Sequence, residues 1–122
     1  MPEACPFCGL KPLVGDEPVF TLRDKHPVSP GHSLIVTRRH FSSIADATLE
    51  EEWAIVAALR RVRQSLHLEF APDGFNFGLN DGVAAGQTIA HLHVHVIPRF
   101  HGDTPDPRGG VRRCVDGKGA YP

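Results

Sequence analysis

The chain has little net charge, few cysteines and no long apolar run. Its formal charge is −1 over 122 residues, so nothing draws it generally to nucleic acid or to an anionic membrane, and any anion site must be local. No apolar stretch approaches the ~18 residues of a membrane span. The opening Met-Pro-Glu-Ala-Cys lacks the basic-then-apolar pattern of a secretory signal. A cytoplasmic home is the expectation, with no nucleic acid and no membrane as partner. Three cysteines, an odd number, argue against a disulfide framework. Histidine, by contrast, is abundant, at eight residues. The length suits one domain, and 22% charged with 41% hydrophobic residues is an ordinary globular balance.

Along the chain, residues 1–18 are rich in Pro, Gly and Cys and read as a loop or knuckle. Val19 to Leu22 and the β-branched, apolar His32 to Thr37 read as strands, separated by the turn material Pro27 to Gly31. Thr48-x-x-Glu51 predicts a capping box that opens a helix. Leu49, Trp53, Val56, Leu59, Val62 and Leu66 recur at spacings of three and four, which predicts one apolar stripe ending before Pro72-Asp73-Gly74. Phe75, Phe77 and Leu79 alternate as in a half-buried strand, Asn80 to Gly86 is a loop, and Ala90 to Ile97 is a second alternating strand stopped by Pro98. The pattern implies an α+β fold with a mainly antiparallel sheet and one long helix on one face. Residues 101–122 read as an extended C-terminal tail.

The most informative segment is His91-Leu92-His93-Val94-His95-Val96-Ile97. Side chains alternate faces on a strand, so the three imidazoles share one face while Leu92, Val94 and Val96 enter the core. Three protonated imidazoles in a row would repel, so some stay neutral near pH 7. Such a row suits metal binding with a metal-activated water, or nucleophilic catalysis in which one imidazole attacks and its neighbours bind the transferred anion. Gly86-Gln87-Thr88 just before it favours the second. It brings backbone N–H groups, an amide and a hydroxyl of the kind that bind phosphate. Carboxylates, which a metallohydrolase would bring, are absent between Asp81 and Asp103.

This run, with Pro30-Gly31-His32 leading into HSLIV, the Asn80 loop, Gly-Gln-Thr and an early Cys-x-x-Cys, resembles the histidine-triad (HIT) superfamily over nearly the whole chain. The tail PRFHGDTPDPRGGVR resembles bacterial members grouped with dinucleoside polyphosphate hydrolases. The resemblance implies one domain over 1–122, with a five-stranded sheet, one long helix and a short helix. It implies cleavage at the α-phosphate of a dinucleoside polyphosphate or nucleoside phosphoramidate through a nucleotidyl-histidine, releasing a nucleoside monophosphate. His93 resembles the nucleophile, its Nε2 attacking phosphorus while a backbone carbonyl holds Nδ1–H. His95, His32, Thr88, Gly86 and Gln87 match phosphate-binding positions. Asp24 matches the residue that binds the ribose hydroxyls, and Asn80 a polar group near sugar and phosphate. Phe7, Leu10 and Leu22 match the apolar positions that sandwich a purine. A homodimer, with the helix and a strand edge from each subunit, is also implied.

Cys5-Pro6-Phe7-Cys8 has zinc-knuckle spacing but supplies only half a site. His40 and His91 are its natural completion, and zinc-containing bacterial-type members look similar. A closed Cys₂His₂ site would be structural. It would leave the chemical step independent of any cofactor and fix His91 beside the nucleophile; a reduced, empty cysteine pair is the alternative. Three other functions stay open: a nucleotide sensor with little turnover, a phosphorylase with phosphate in place of water, and a metalloenzyme that uses the histidine row as ligands. The tail departs from the family pattern at Arg113-Cys114-Val115, where an aromatic residue and apolar residues are expected. Leaving-group identity is therefore the least specified feature.

Overall fold

The computed structural model describes residues 5–10 and 17–119. Four short apolar segments form strands: β1 (Val19–Arg23), β2 (Ser33–Thr37), β3 (Gly74–Gly78) and β4 (His93–Arg99), with one helix, α1 (Leu49–Phe70), between β2 and β3. The strands make one antiparallel sheet in the order β1-β2-β4-β3. The family resemblance implies five strands, and the described residues form four. No second α-helix forms among them. Short 3₁₀ turns at Ile44–Asp46, Val83–Ala85 and Gly110–Cys114 take its place. Within the described part of the tail, the chain winds into the last of these turns, which contacts β3.

Alternation gives the sheet two different faces. Val94 and Val96 of β4, with Val19 and Ile35, pack against Ile55, Ala58 and Leu66 of α1. Leu66 is 1% exposed, and its truncation to Ala would cost about 3 kcal/mol. On the opposite face, Leu34 stands across from His95 and Val36 across from His93. Phe7, Phe20, Leu34 and Val36 form a second, smaller cluster there.

The helix opens as its sequence dictates. The Thr48 hydroxyl accepts the Glu51 N–H at 3.1 Å, and the Glu51 carboxylate accepts the Thr48 N–H at 2.9 Å. Arg39 donates twice to the same carboxylate and holds its pKa below the usual range. The apolar positions split, however, instead of forming one stripe. Ile55, Ala58 and Leu66 are buried, with Leu59 and Val62 partly so, whereas Leu49, Trp53 and Val56 are 73%, 73% and 51% exposed. At about 100° per residue the latter three lie roughly 100–160° around the axis from Ile55.

Strand β4 also differs at both ends. It begins at His93, because the Leu92 N–H bonds to the Phe41 carbonyl outside the ladder at 2.7 Å. It continues through Pro98 to Arg99. Beyond Val96 only β3 flanks it, so a proline without an N–H breaks no bond on the other side. There the Pro98 carbonyl accepts the Ser29 hydroxyl at 2.7 Å. No helix of the described residues is long and apolar enough to cross a membrane.

Candidate active site

His93 is the first residue of β4. Its Nδ1 lies 2.8 Å from the His91 carbonyl oxygen. A carbonyl only accepts, so Nδ1 carries the proton and the Nε2 lone pair faces outward. The Phe7 ring packs on it with centroids 4.9 Å apart, and the His95 ring stands 5.2 Å away. Together these contacts fix the orientation of the ring, with Nδ1 on the carbonyl and Nε2 on the opposite edge.

His95, two residues on, shares that face and is half-buried. Its Nδ1 is 2.9 Å from Nε2 of His32. His32 is 4% exposed, and its Nδ1 accepts the Val28 N–H at 3.1 Å. It packs against His95 with both ring nitrogens engaged. Asp24 joins the pair, its Oδ2 3.4 Å from His32 Nε2 and 3.9 Å from His95 Nδ1, while Oδ1 accepts the His26 N–H. Burial pushes the pKa of His32 down against the pull of Asp24. Burial, then the neighbouring His93 and His32, do the same for His95.

Next to these rings is a cleft of about 930 Å³ whose wall includes His32, His95, Asn80, Gly86, Val83 and Val111. Gly86 closes its loop in the left-handed region at φ 95°, a conformation that glycine adopts without steric cost. The loop is tied down from below. The Gln87 amide donates to the Ser42 and Ile89 carbonyls, and its oxygen accepts the Gly82 N–H. Asp81 accepts from Ser43 and Ile44. The Gln87 side chain thus holds the loop. Thr88 is exposed. Of the three residues expected around a base, Phe7 is buried against His91 and His93, Leu22 is half-buried in the same cluster, and Leu10 is 58% exposed. Sequence reasoning missed the cleft residues Val28, Val83 and Val111, for which the only signal was apolar character in loops.

A second constellation lies at the start of the strand. Cys5 Sγ is 3.2 Å and Cys8 Sγ 3.7 Å from His91 Nδ1. His40 Nδ1 is 3.4 Å from Cys8 Sγ and 3.1 Å from His91 Nδ1. His91 is fully buried, and its Nε2–H donates to the Thr37 carbonyl at 2.7 Å. That bond turns the Nδ1 lone pair toward the sulfurs. Two soft sulfurs and two imidazole nitrogens, all within 4.8 Å of one another, are a donor set that fits one tetrahedral zinc ion. None of the three cysteines is in a disulfide.

Comparison with known proteins agrees with this geometry. The chain is 39% identical over 77 residues to the asymmetrical bis(5'-nucleosyl)-tetraphosphatase of Schizosaccharomyces pombe, covering 63% of this chain and 42% of that protein. It is 36% identical over 109 residues to an AP-4-A phosphorylase of Mycobacterium tuberculosis, covering 82% of this chain and 56% of that one. It spans about half the length of these relatives. Its fold superposes on a Zn-bound histidine triad family protein from Mycobacterium smegmatis with a TM-score of 0.73 and 31% identity, covering 84% of each chain. The HIT domain model matches residues 11–102, and with His93 and His95 side by side on β4 and His91 just ahead of it, the chain belongs to the HIT domain family.

Proposed function

We propose that this protein is a nucleotidyl hydrolase acting on dinucleoside polyphosphates or nucleoside phosphoramidates. One observation carries the reading: the His91 carbonyl holds the His93 proton on Nδ1 and leaves Nε2 for attack, and the neighbouring His95 ring, 5.2 Å away, lines a wide cleft. In the first step the Nε2 pair attacks the α-phosphorus. The bond from phosphorus to the leaving group breaks, and the leaving group departs with its electron pair, taking a proton from water where its basicity requires one. The Nδ1–H bond to the carbonyl stabilises the positive imidazole ring. In the second step water attacks phosphorus, the P–Nε2 pair returns to the ring, and a nucleoside monophosphate and a proton leave. Asp24, Asn80, Gly86, Thr88 and His95 are the groups assigned to ribose and phosphate, and Phe7, Leu10 and Leu22 to the purine. With phosphate in place of water the same chemistry is a phosphorylase, the activity named for the mycobacterial relative.

Cys5, Cys8, His40 and His91 would hold a structural zinc ion, which supplies cross-linking of the Cys loop to β4. With all four positions filled by protein, no open site remains for a water. Thiolate ligands suit a reducing compartment such as the cytoplasm. The exposed apolar face of α1 at Leu49, Trp53 and Val56, together with the edge position of β3, supports a two-fold homodimer. The whole chain, tail included, acts as one domain in this reading.

The test is AMP release from a diadenosine polyphosphate and from an adenosine phosphoramidate, repeated with His93→Ala. The expected loss is at least about a thousandfold with the fold retained by circular dichroism. Chelation that abolishes turnover, with His93→Ala still active, would establish the metalloenzyme instead. Nucleotide binding without turnover in either protein would establish the sensor.

A further inference from the structure

We propose that His32 is a positioning residue that locks His95 as its Nε2–H tautomer, so that His95 meets the substrate's phosphate as an uncharged hydrogen-bond donor. The proposal rests on the nucleotidyl-transfer reading above but is read out independently of it.

The Val28 N–H points at His32 Nδ1 from 3.1 Å, and an amide N–H only donates. His32 Nδ1 therefore keeps a lone pair, and the proton of the ring sits on Nε2. That nitrogen is 2.9 Å from His95 Nδ1 and 3.4 Å from Asp24 Oδ2, so its proton goes to His95. His95 Nδ1 accepts it, and the remaining proton of His95 is on Nε2, the ring edge away from His32. The chain of donors runs in one direction, from Val28 through His32 to His95 and outward. A second proton on His32 would have to sit on Nδ1, against the amide hydrogen, so the ring stays neutral. The groups facing the pair are Asp24, just after β1, and His93 from β4. Of these only Asp24 favours a charged imidazole, and burial outweighs it for both rings.

The turn that presents Val28 is itself fixed. The His32 N–H returns to the Ser29 carbonyl at 3.1 Å, and the Ser29 hydroxyl donates to Pro98. Gly31 adopts φ 87° where a Cβ would meet the Phe70 ring at 2.8 Å. The same cluster of Asp24, His32 and His95 has donor spacing that would suit a cation. His32 Nε2 can ligate only if Nδ1 carries the proton, and the Val28 amide forbids it.

Nitrogen-15 histidine NMR, reading two-bond couplings from ring carbons' hydrogens to each nitrogen, tests this directly. At about pH 7.5 the expected spectrum has bare Nδ1 and protonated Nε2 on both His32 and His95. In His32→Phe the donor is gone, and His95 is expected to become a mixture of tautomers with kcat lower by about a hundredfold and a smaller change in KM. His32→Gln, whose amide N–H₂ replaces the Nε2 donor, is expected to restore the single tautomer and part of the loss. A protonated Nδ1 on wild-type His95, an unchanged tautomer in His32→Phe, or His32 and His95 signals that shift on adding zinc beyond the first equivalent would each overturn the proposal. Because the spectrum of the wild type needs no substrate, failure of AMP release would count against the hydrolase reading alone.

Discussion

Two histidine clusters are anchored four residues apart, one at His91 just before β4 and one at His95 on it, and each turns on a histidine backed by a main-chain group, yet their chemistry is opposite. At His91 the far nitrogen meets the Thr37 carbonyl, so the proton is held there and a lone pair faces Cys5, Cys8 and His40. At His32 the far nitrogen meets the Val28 amide, so the lone pair is held there and a proton faces His95. Both clusters pass a simple count of ligand-type side chains. What separates a metal-ready site from a proton-filled one is whether a backbone acceptor or a backbone donor stands behind the ring. His93, between them, has the carbonyl arrangement, and among the described residues no hydrogen-bond partner stands at its Nε2. It is therefore equipped to attack.

The comparison breaks most visibly at the metal. His91→Ala is expected to reduce bound zinc from about one equivalent to none and to destabilise the fold by roughly 4 kcal/mol or more. His95→Ala is expected to leave the metal content unaltered. Elemental analysis with urea unfolding reads both, and the reverse assignment would erase the distinction. A smaller effect comes from Gly31→Ala. Its Cβ meets Phe70 and its φ is left-handed, so a cost on the order of 2 kcal/mol is expected. The disturbed turn should loosen the Val28–His32 bond, visible as exchange broadening at His95, while zinc stays bound. An intact His95 signal in a destabilised variant would show that the turn does not control the pair.

The smallest effect is on pH dependence. His32 and His95 have folded-state pKa values below their unfolded ones, so the unfolded chain binds more protons. Stability is full above the ordinary imidazole value near 6.5 and falls as pH drops through the depressed folded values. The urea midpoint should therefore drop on acidification, and drop less in His95→Asn. An equal drop in both proteins would mean that the pair does not contribute.

The sheet, the capping box of α1 and the company of Cys5, Cys8, His40 and His91 were all legible in the sequence, because each follows from period, spacing or ligand type. Less was legible where a residue's role depends on a backbone group from a distant segment. The bond from the Val28 N–H to the His32 ring is one such case, because nothing in PGHSLIV reveals it. The Gln87 amide, which ties the Asn80 loop to Ser42, is another. The helix stripe misread Leu49, Trp53 and Val56 because apolar residues at spacings of three and four fit two faces of one helix. Pro98 read as a strand end because its freedom from β2 is a property of register alone.

The central claim is that His93 Nε2 forms a bond to the α-phosphorus. Rapid mixing with a diadenosine polyphosphate, quenched in alkaline denaturant, followed by peptide mass spectrometry reads it directly. The account predicts one adenylyl group on the peptide carrying residues 91–97, localised by fragmentation to His93 and absent from His93→Ala. AMP release at full rate with no adduct at any quench time, or an adduct on His91 or His95 instead, would contradict it.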